Sequence, residues 1–199
     1  MRQNVSTRVF GWLYRDAFAR GMRSRGRNVI AKKQLKKEYG RVVAGAKDIG
    51  KSRMMSAYCL GAIFIAAYRL NQNAEENYEI LRDGLKESLI FRKALGNADQ
   101  YLSEKKMAGR REWERQSHLR KYENEWVVDV LEGNEEYDLG YDYHECGICK
   151  LCKAEGSPEI AKYLCKLDFL LADLMGMKLV RTKTLAEGAD CCDFRYSRK

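Results

Sequence analysis

The chain has 199 residues, of which 45% are apolar and 33% charged, a balance that can bury a core and excludes disorder by composition. One proline and 16 glycines exclude a proline-rich linker and point to long uninterrupted elements. The net charge of +9 is uneven: residues 1–53 hold 15 Lys/Arg against 3 Asp/Glu and the other 146 hold 22 against 25, which disfavours a chain-wide nucleic-acid surface.

In chain order, residues 5–18 repeat apolar groups at helical spacing, from Val9 and Phe10 to Ala17 and Phe18. No clean apolar run precedes Arg15, so no secretory signal is expected and the protein reads as cytoplasmic. The basic stretch 20–53 carries five glycines, with a helix expected at 28–39 and a loop after it. Residues 57–68 are the most hydrophobic, but a membrane span needs roughly 20 residues, so 54–70 reads as a buried helix. A second helix is expected over 75–95. A third, over 101–122, is charged nearly all round and should be largely solvated, anchored by Trp113 and Leu119.

The texture then changes. Residues 125–131 are rich in β-branched side chains, and 137–143 alternate Tyr137, Leu139, Tyr141 and Tyr143 with Asp138, Gly140 and Asp142, the pattern of a hairpin. A helix over 158–175 follows, with Ser157 as N-cap, Pro158 at the first helical position and Gly176 past the end. Residues 178–184 and 190–196 form a second hairpin. The expected class is α+β: N-terminal helices packed on an antiparallel sheet of two hairpins with an intervening helix, β-β-α-β-β. The expected organisation is a single domain over 1–199, with a basic segment 1–53, a helical part 54–122 and the hairpin part 125–199.

Residues 45–52, GAKDIGKS, fit the phosphate-loop pattern G-x-x-x-x-G-K-[ST]. That chemistry needs a buried strand before the loop and a parallel sheet around it. Neither is expected, so the stretch reads as a cap for the 54–70 helix and no specific nucleotide is expected.

Seven cysteines, an odd count without an export signal, suit thiols, ligands or core residues better than disulfides. Cys146, Cys149 and Cys152 have the C-x-x-C-x-x-C spacing of a metal or iron–sulfur site, but the same spacing puts buried thiols on one helix face. On the 158–175 helix, Ile160, Leu164, Leu167 and Leu171 define a core stripe. Asp168 falls inside it at about +40° from Leu164, Cys165 on its edge at about +100°, and Asp173 in solvent. A core-facing carboxylate must be paired, hydrogen-bonded or shifted in pKa: a structural acid or a general base. Pairing symmetric about a 185–189 loop sets Arg181 opposite Asp193, within about 6 Å between Cα atoms. It also sets Val180 opposite Phe194 and Thr182 opposite Cys192, so that Arg181, Asp193, Arg195 and Cys191 share a charged face. That face is either solvated or, if a helix covers it, a wall for a small carboxylate.

The segments HECGICKLCKAEGSPEIAKYLCKLDF and LVRTKTLAEGADCCDFRYSRK resemble the C-terminal signature of the L-2-amino-thiazoline-4-carboxylic acid hydrolase family. The matching residues are Glu145–Cys146–Gly147, Cys165 with Asp168, Arg181–Thr182, Thr184–Leu185–Ala186, Gly188 and Cys192–Asp193–Phe194–Arg195. The match is specific over 125–199 and weak over 1–45. The resemblance implies hydrolytic opening of a thiazoline ring to N-carbamoyl-cysteine, a step of bacterial cysteine formation. Cys149 and Cys152 are additions to the pattern.

Such a reaction asks for a base, a stabiliser of developing charge and an anchor for the substrate carboxylate. Asp168 is the candidate base, with Cys165 beside it in the catalytic set. Cys146 is a candidate nucleophile, or the ligand of a metal that activates water. Arg181, Thr182, Asp193 and Arg195 are the candidate substrate-binding residues. No cofactor is expected; the alternative is a metal ion on Cys146, Cys149 and Cys152. The expected partner is a small-molecule substrate, with no membrane and a homo-oligomer left open. The competing reading is a non-catalytic α+β module that holds a metal, haem or small ligand.

Overall fold

The computed structural model describes Met1 and residues 4–199; Arg2 and Gln3 of the basic segment lie outside the described residues. Helices come first: α1 (Val5–Ser24), α2 (Lys32–Gly45), α3 (Met55–Asn71), α4 (Ala74–Glu87), α5 (Leu89–Leu95), α6 (Ala98–Leu102) and α7 (Met107–His118). The hairpin β1 (Val127–Glu132) and β2 (Leu139–Glu145) follows. Then come α8 (Gly147–Ala154), α9 (Ala161–Leu174), β3 (Met177–Val180) and β4 (Cys192–Arg198). The class is α+β, an antiparallel four-stranded sheet in the order β1-β2-β4-β3, so two hairpins lie side by side with β2 against β4.

The central helix α3 is apolar nearly all round and is accordingly buried: Cys59, Ile63, Phe64, Ala66 and Ala67 are inaccessible. Among the described residues no helix is long and apolar enough to cross a membrane. A capping box opens α1: Asn4 Oδ1 accepts from Thr7 N and Thr7 Oγ1 accepts from Asn4 N, each at 2.9 Å. The α1–α4 crossing depends on two glycines. A Cβ on Gly84 would sit 1.8 Å from the Ala17 carbonyl oxygen, and one on Gly21 would sit 1.7 Å from that of Ile80. Alanine favours a helix interior by about 1 kcal/mol over glycine, but overpacking against backbone costs about 1–3 kcal/mol. Gly84→Ala should therefore lower the urea-unfolding midpoint; an unchanged or raised midpoint would show that the helices can separate freely.

Several boundaries differ from the sequence expectation. The basic segment 1–53 holds all of α1 and of α2, which starts at Lys32 and runs on to Gly45. The helix expected at 75–95 breaks at Ser88, whose N–H donates to the Gly84 carbonyl while its Oγ accepts from Phe91 N, capping both neighbours. The span 101–122 holds only α7 after a short 3₁₀ turn, and Leu119 is 60% exposed rather than an anchor. Helix α7 is fixed instead along the edge of β1. Ser117 Oγ accepts from Val128 N (3.1 Å), Glu114 Oε1 accepts from Val130 N (2.9 Å), and Arg111 donates to the Val130 carbonyl. Two helices rather than one separate the hairpins, because the Cys146–Cys152 stretch forms α8.

The second hairpin is out of the expected register by one residue. Val180 pairs with Arg195 and Leu179 with Tyr196, and the ladder stops at Val180. The cause is Asp193. Its Oδ1 accepts from Thr182 N (2.9 Å) and Lys183 N (2.8 Å), replacing ladder bonds with a side chain, and the chain then turns through Leu185–Glu187 to Gly188 at φ 88°. A one-residue slip exchanges faces. Arg181 lies on the helix-covered side, with Phe194, while Asp193 and Arg195 lie on the outer side. Arg181 does not pair with Asp193, and Cys191 is buried.

Candidate active site

Helix α9 carries Asp168 toward the sheet, and the shifted register brings Arg181 up to meet it. Arg181 Nη1 donates to Asp168 Oδ2 at 2.6 Å and Nη2 donates to the Cys165 carbonyl at 3.0 Å. The guanidinium lies 4.8 Å from the Phe169 ring centroid and 5.0 Å from that of Phe194. The Arg181 side chain is only 5% exposed and that of Asp168 32%. Burial dominates over the opposing pull of Arg181 and carries the Asp168 carboxyl up to about 6. Among the described residues nothing donates to Asp168 Oδ1. The carboxylate is thus held by one oxygen, open on the other, and poised to exchange a proton near neutrality.

The thiols gather beside it. Cys146 ends the β2 segment in extended conformation and is the N-cap residue of α8, its carbonyl accepting from Lys150 N at 3.0 Å. The neighbouring Cys149 thiol and the Cys149 and Ile148 amides lower the Cys146 thiol below its usual range, against the effect of burial. Cys149 is correspondingly raised, first by the Cys146 thiol and then by burial. Burial raises Cys165 as well, and the charge of Asp168 adds to it. Cys192, pushed up to about 11 by burial, accepts from Leu185 N at 3.2 Å and faces Tyr143 across the strands. Arg181 joins Asp168, the Cys165 carbonyl and the Phe194 ring, Phe194 meets Tyr143 edge-on at 5.2 Å, and Tyr143 pairs with Cys192, so residues from α9, β2, β4 and the loop after β3 converge, with the Asp168 charge also acting on Cys146. Cys146, Cys149 and Cys165 are half-buried and reachable.

Residues 52–196 match the family model described as L-2-amino-thiazoline-4-carboxylic acid hydrolase. The chain belongs to this family. No curated protein and no solved structure matches it. The matched stretch of this family member contains the whole Asp168–Arg181–thiol cluster and leaves out α1 and α2.

Three residues expected at the site stand elsewhere in this thiazoline-carboxylate hydrolase family member. Thr182 donates to Asp193 through both its amide and Oγ1, and Arg195 Nη1 is bound to Asp142 Oδ1 at 2.7 Å, all on the outer side of the sheet. With Arg181 committed to Asp168, neither arginine is a free anchor for a substrate carboxylate; the register slip is the reason. Among the described residues no three His, Cys, Asp or Glu side chains stand in ligand geometry. Cys152 turns into the core, where burial pushes it up to about 12. The GAKDIGKS stretch follows α2, not a strand. Ser52 Oγ accepts from Met54 N and donates to Glu125 Oε1 at 2.7 Å, which fixes the turn leading into α3, whose N-cap residue is Met54.

Sequence reasoning missed Tyr143 and Cys149 as members of the cluster. Tyr143 was visible in the alternation of β2, but only the β2–β4 register shows that it meets Cys192. The pairing of the two histidines was not legible either: His118 and His144 Nε2 each lie 2.8 Å from one oxygen of Asp129, on the outer face. They and the Asp168 cluster occupy opposite sides of the sheet.

Proposed function

We propose that this protein hydrolyses a small cyclic amidine of the 2-amino-thiazoline-4-carboxylate type to the open-chain carbamoyl thiol. The observation that carries the reading is the Asp168 carboxylate held through Oδ2 by buried Arg181 and open at Oδ1, with half-buried Cys146 in the same family-matching segment. Cys146 acts as nucleophile: its thiolate attacks the amidine carbon, the ring carbon–sulfur bond breaks, and the substrate sulfur leaves and takes up a proton. Asp168 Oδ1 then removes a proton from a water that attacks the same carbon. The bond to Cys146 breaks, its thiolate is restored, and the product carries a ureido group and one new thiol. Arg181 keeps Asp168 oriented and ionisable, and acts as a positioning residue.

Purified protein given the thiazoline acid should release one thiol per substrate consumed. Cys146→Ser should lose at least about 10²-fold in turnover, in the range expected for removal of an activated nucleophile. A rapidly quenched reaction should carry the ring-opened adduct on Cys146. Thiol release at the parental rate by Cys146→Ser would remove the nucleophile from this scheme.

A further inference from the structure

We propose that Cys146 and Cys149 form a dithiol site that exchanges with low-molecular-weight disulfides and closes to an intramolecular disulfide. The inference shares Cys146 with the hydrolytic reading but does not depend on turnover.

The backbone is the first argument. Cys146 is the N-cap of α8 and Cys149 lies three residues on, in its first turn. The Cys146 carbonyl accepts from Lys150 N at 3.0 Å, closing the turn that sets residues 146 and 149 beside each other. Bridging two cysteines requires Cα atoms roughly 4.4–6.8 Å apart, a range that residues three apart across one helical turn span. The first turn is also held rigidly. A Cβ on Gly147 would lie 2.4 Å from the Asn124 carbonyl oxygen and 2.5 Å from the Trp126 ring, so only glycine lets α8 start this close to the 124–126 segment. The pair is therefore aligned by packing and not by chance rotamers.

Selectivity is the second argument. Cys59, Cys152, Cys191 and Cys192 are buried, whereas Cys146 and Cys149 are half-exposed. The two also differ in direction: the Cys146 thiol is lowered and the Cys149 thiol raised, which makes Cys146 the readier thiolate. The attacking and resolving thiols of an exchange reaction are divided in this way. Cys165 stands on a different helix, and Cys152 lies a further turn along α8 in the core.

The chemistry balances with the disulfide as oxidant. Cys146 thiolate attacks one sulfur of RSSR, that S–S bond breaks, and RS⁻ leaves and is protonated. Cys149 then loses its proton and attacks Cys146 Sγ, forming the internal S–S bond and expelling the second RS⁻. The two cysteines are oxidised by two electrons and RSSR is reduced to two RSH. Closure removes the Cys146 thiolate from the Asp168 cluster and silences hydrolysis until a thiol reduces the bond.

The test uses the full chain and glutathione disulfide, with acid quenching, alkylation of free thiols and peptide mapping in the absence of substrate. The expected product is a Cys146–Cys149 link reversed by dithiothreitol. Cys149→Ser should stop at a glutathione mixed disulfide on Cys146, and Cys146→Ser should slow oxidation at the site at least about tenfold. A Cys146–Cys165 link, a wild-type reaction that stops at the mixed disulfide, or parental oxidation of Cys149 in Cys146→Ser would each overturn the proposal. Linkage without thiazoline turnover would count against the hydrolase reading alone; turnover without linkage would count against this inference alone.

Discussion

Asp168→Asn is expected to lower turnover by roughly 10²–10⁴-fold, the usual contribution of a general base, in a protein that still folds. The amide oxygen can accept from Arg181 Nη1 as the carboxylate does, so the stability lost is that of one charge-assisted bond, about 1–2 kcal/mol. The control lies on the same helix. Asp173 points to solvent and is paired with Lys199, and Asp173→Asn should stay within about 0.5 kcal/mol of the parent with full activity. The pH profile separates base catalysis from a structural role. The parental rate should fall on the acid side of about 6, where Asp168 takes up its proton, and Asp168→Asn should lack that limb. The sign for stability is the reverse. The folded-state pKa lies above the unfolded value, so this group's contribution is greatest at low pH and declines as pH rises from the ordinary carboxylate range to about 6. A folded Asp168→Asn protein with parental turnover would refute the assignment and leave Asp168 as an anchor for Arg181.

Arg181→Met should produce the largest loss of stability, about 2–3 kcal/mol at neutral pH. Removing one partner of a fully buried pair costs about 3–5 kcal/mol; the figure is reduced here because Asp168 is a third exposed. Methionine keeps the contact with Phe169 and Phe194 but leaves Asp168 with burial unopposed, so the acid limb of any remaining activity should move above its parental position. The stability deficit should shrink at pH 5, where Asp168 is protonated in the variant. Arg181→Lys should recover only part of it, since one ammonium cannot reach both Asp168 Oδ2 and the Cys165 carbonyl in the planar geometry the guanidinium uses. Urea denaturation at the two pH values checks both statements, and equal deficits would show that the charge on Asp168 is not what Arg181 offsets.

The class, the two hairpins and the buried α3 were legible in the sequence because each rests on a local period: 2 for β2, 3.6 for α3. Asp168 was legible for the same reason, as an acid out of place on an apolar stripe. The register of the second hairpin was not, since it is decided by the Asp193 side chain capturing two amides, an event no alternation pattern records. That single residue of slip places Thr182 with Asp193 on the outer side, away from Asp168, and lets Arg181 meet Asp168 instead of Asp193. The break at Ser88 was hidden by apolar spacing that continues through it. Of the anchors of α7, Trp113 was legible and packs edge-on to Tyr141 at 5.9 Å; the others were hidden because the buried groups are polar, Arg110 and Ser117, and the apolar Leu119 points away.

The pairing of α7 side chains with β1 also bears on assembly. Ser117, Glu114 and Arg111 occupy backbone groups that an incoming strand would need, so β1 cannot serve as a template. The sheet's only other border is β3, four residues long. If two copies joined there by a twofold axis, the resulting eight-stranded sheet would present a blocked β1 at each end, and growth would terminate at the pair. Among the described residues, the same three side chains that steady a solvated helix thus block strand addition at β1 and leave β3 as the open edge of the sheet.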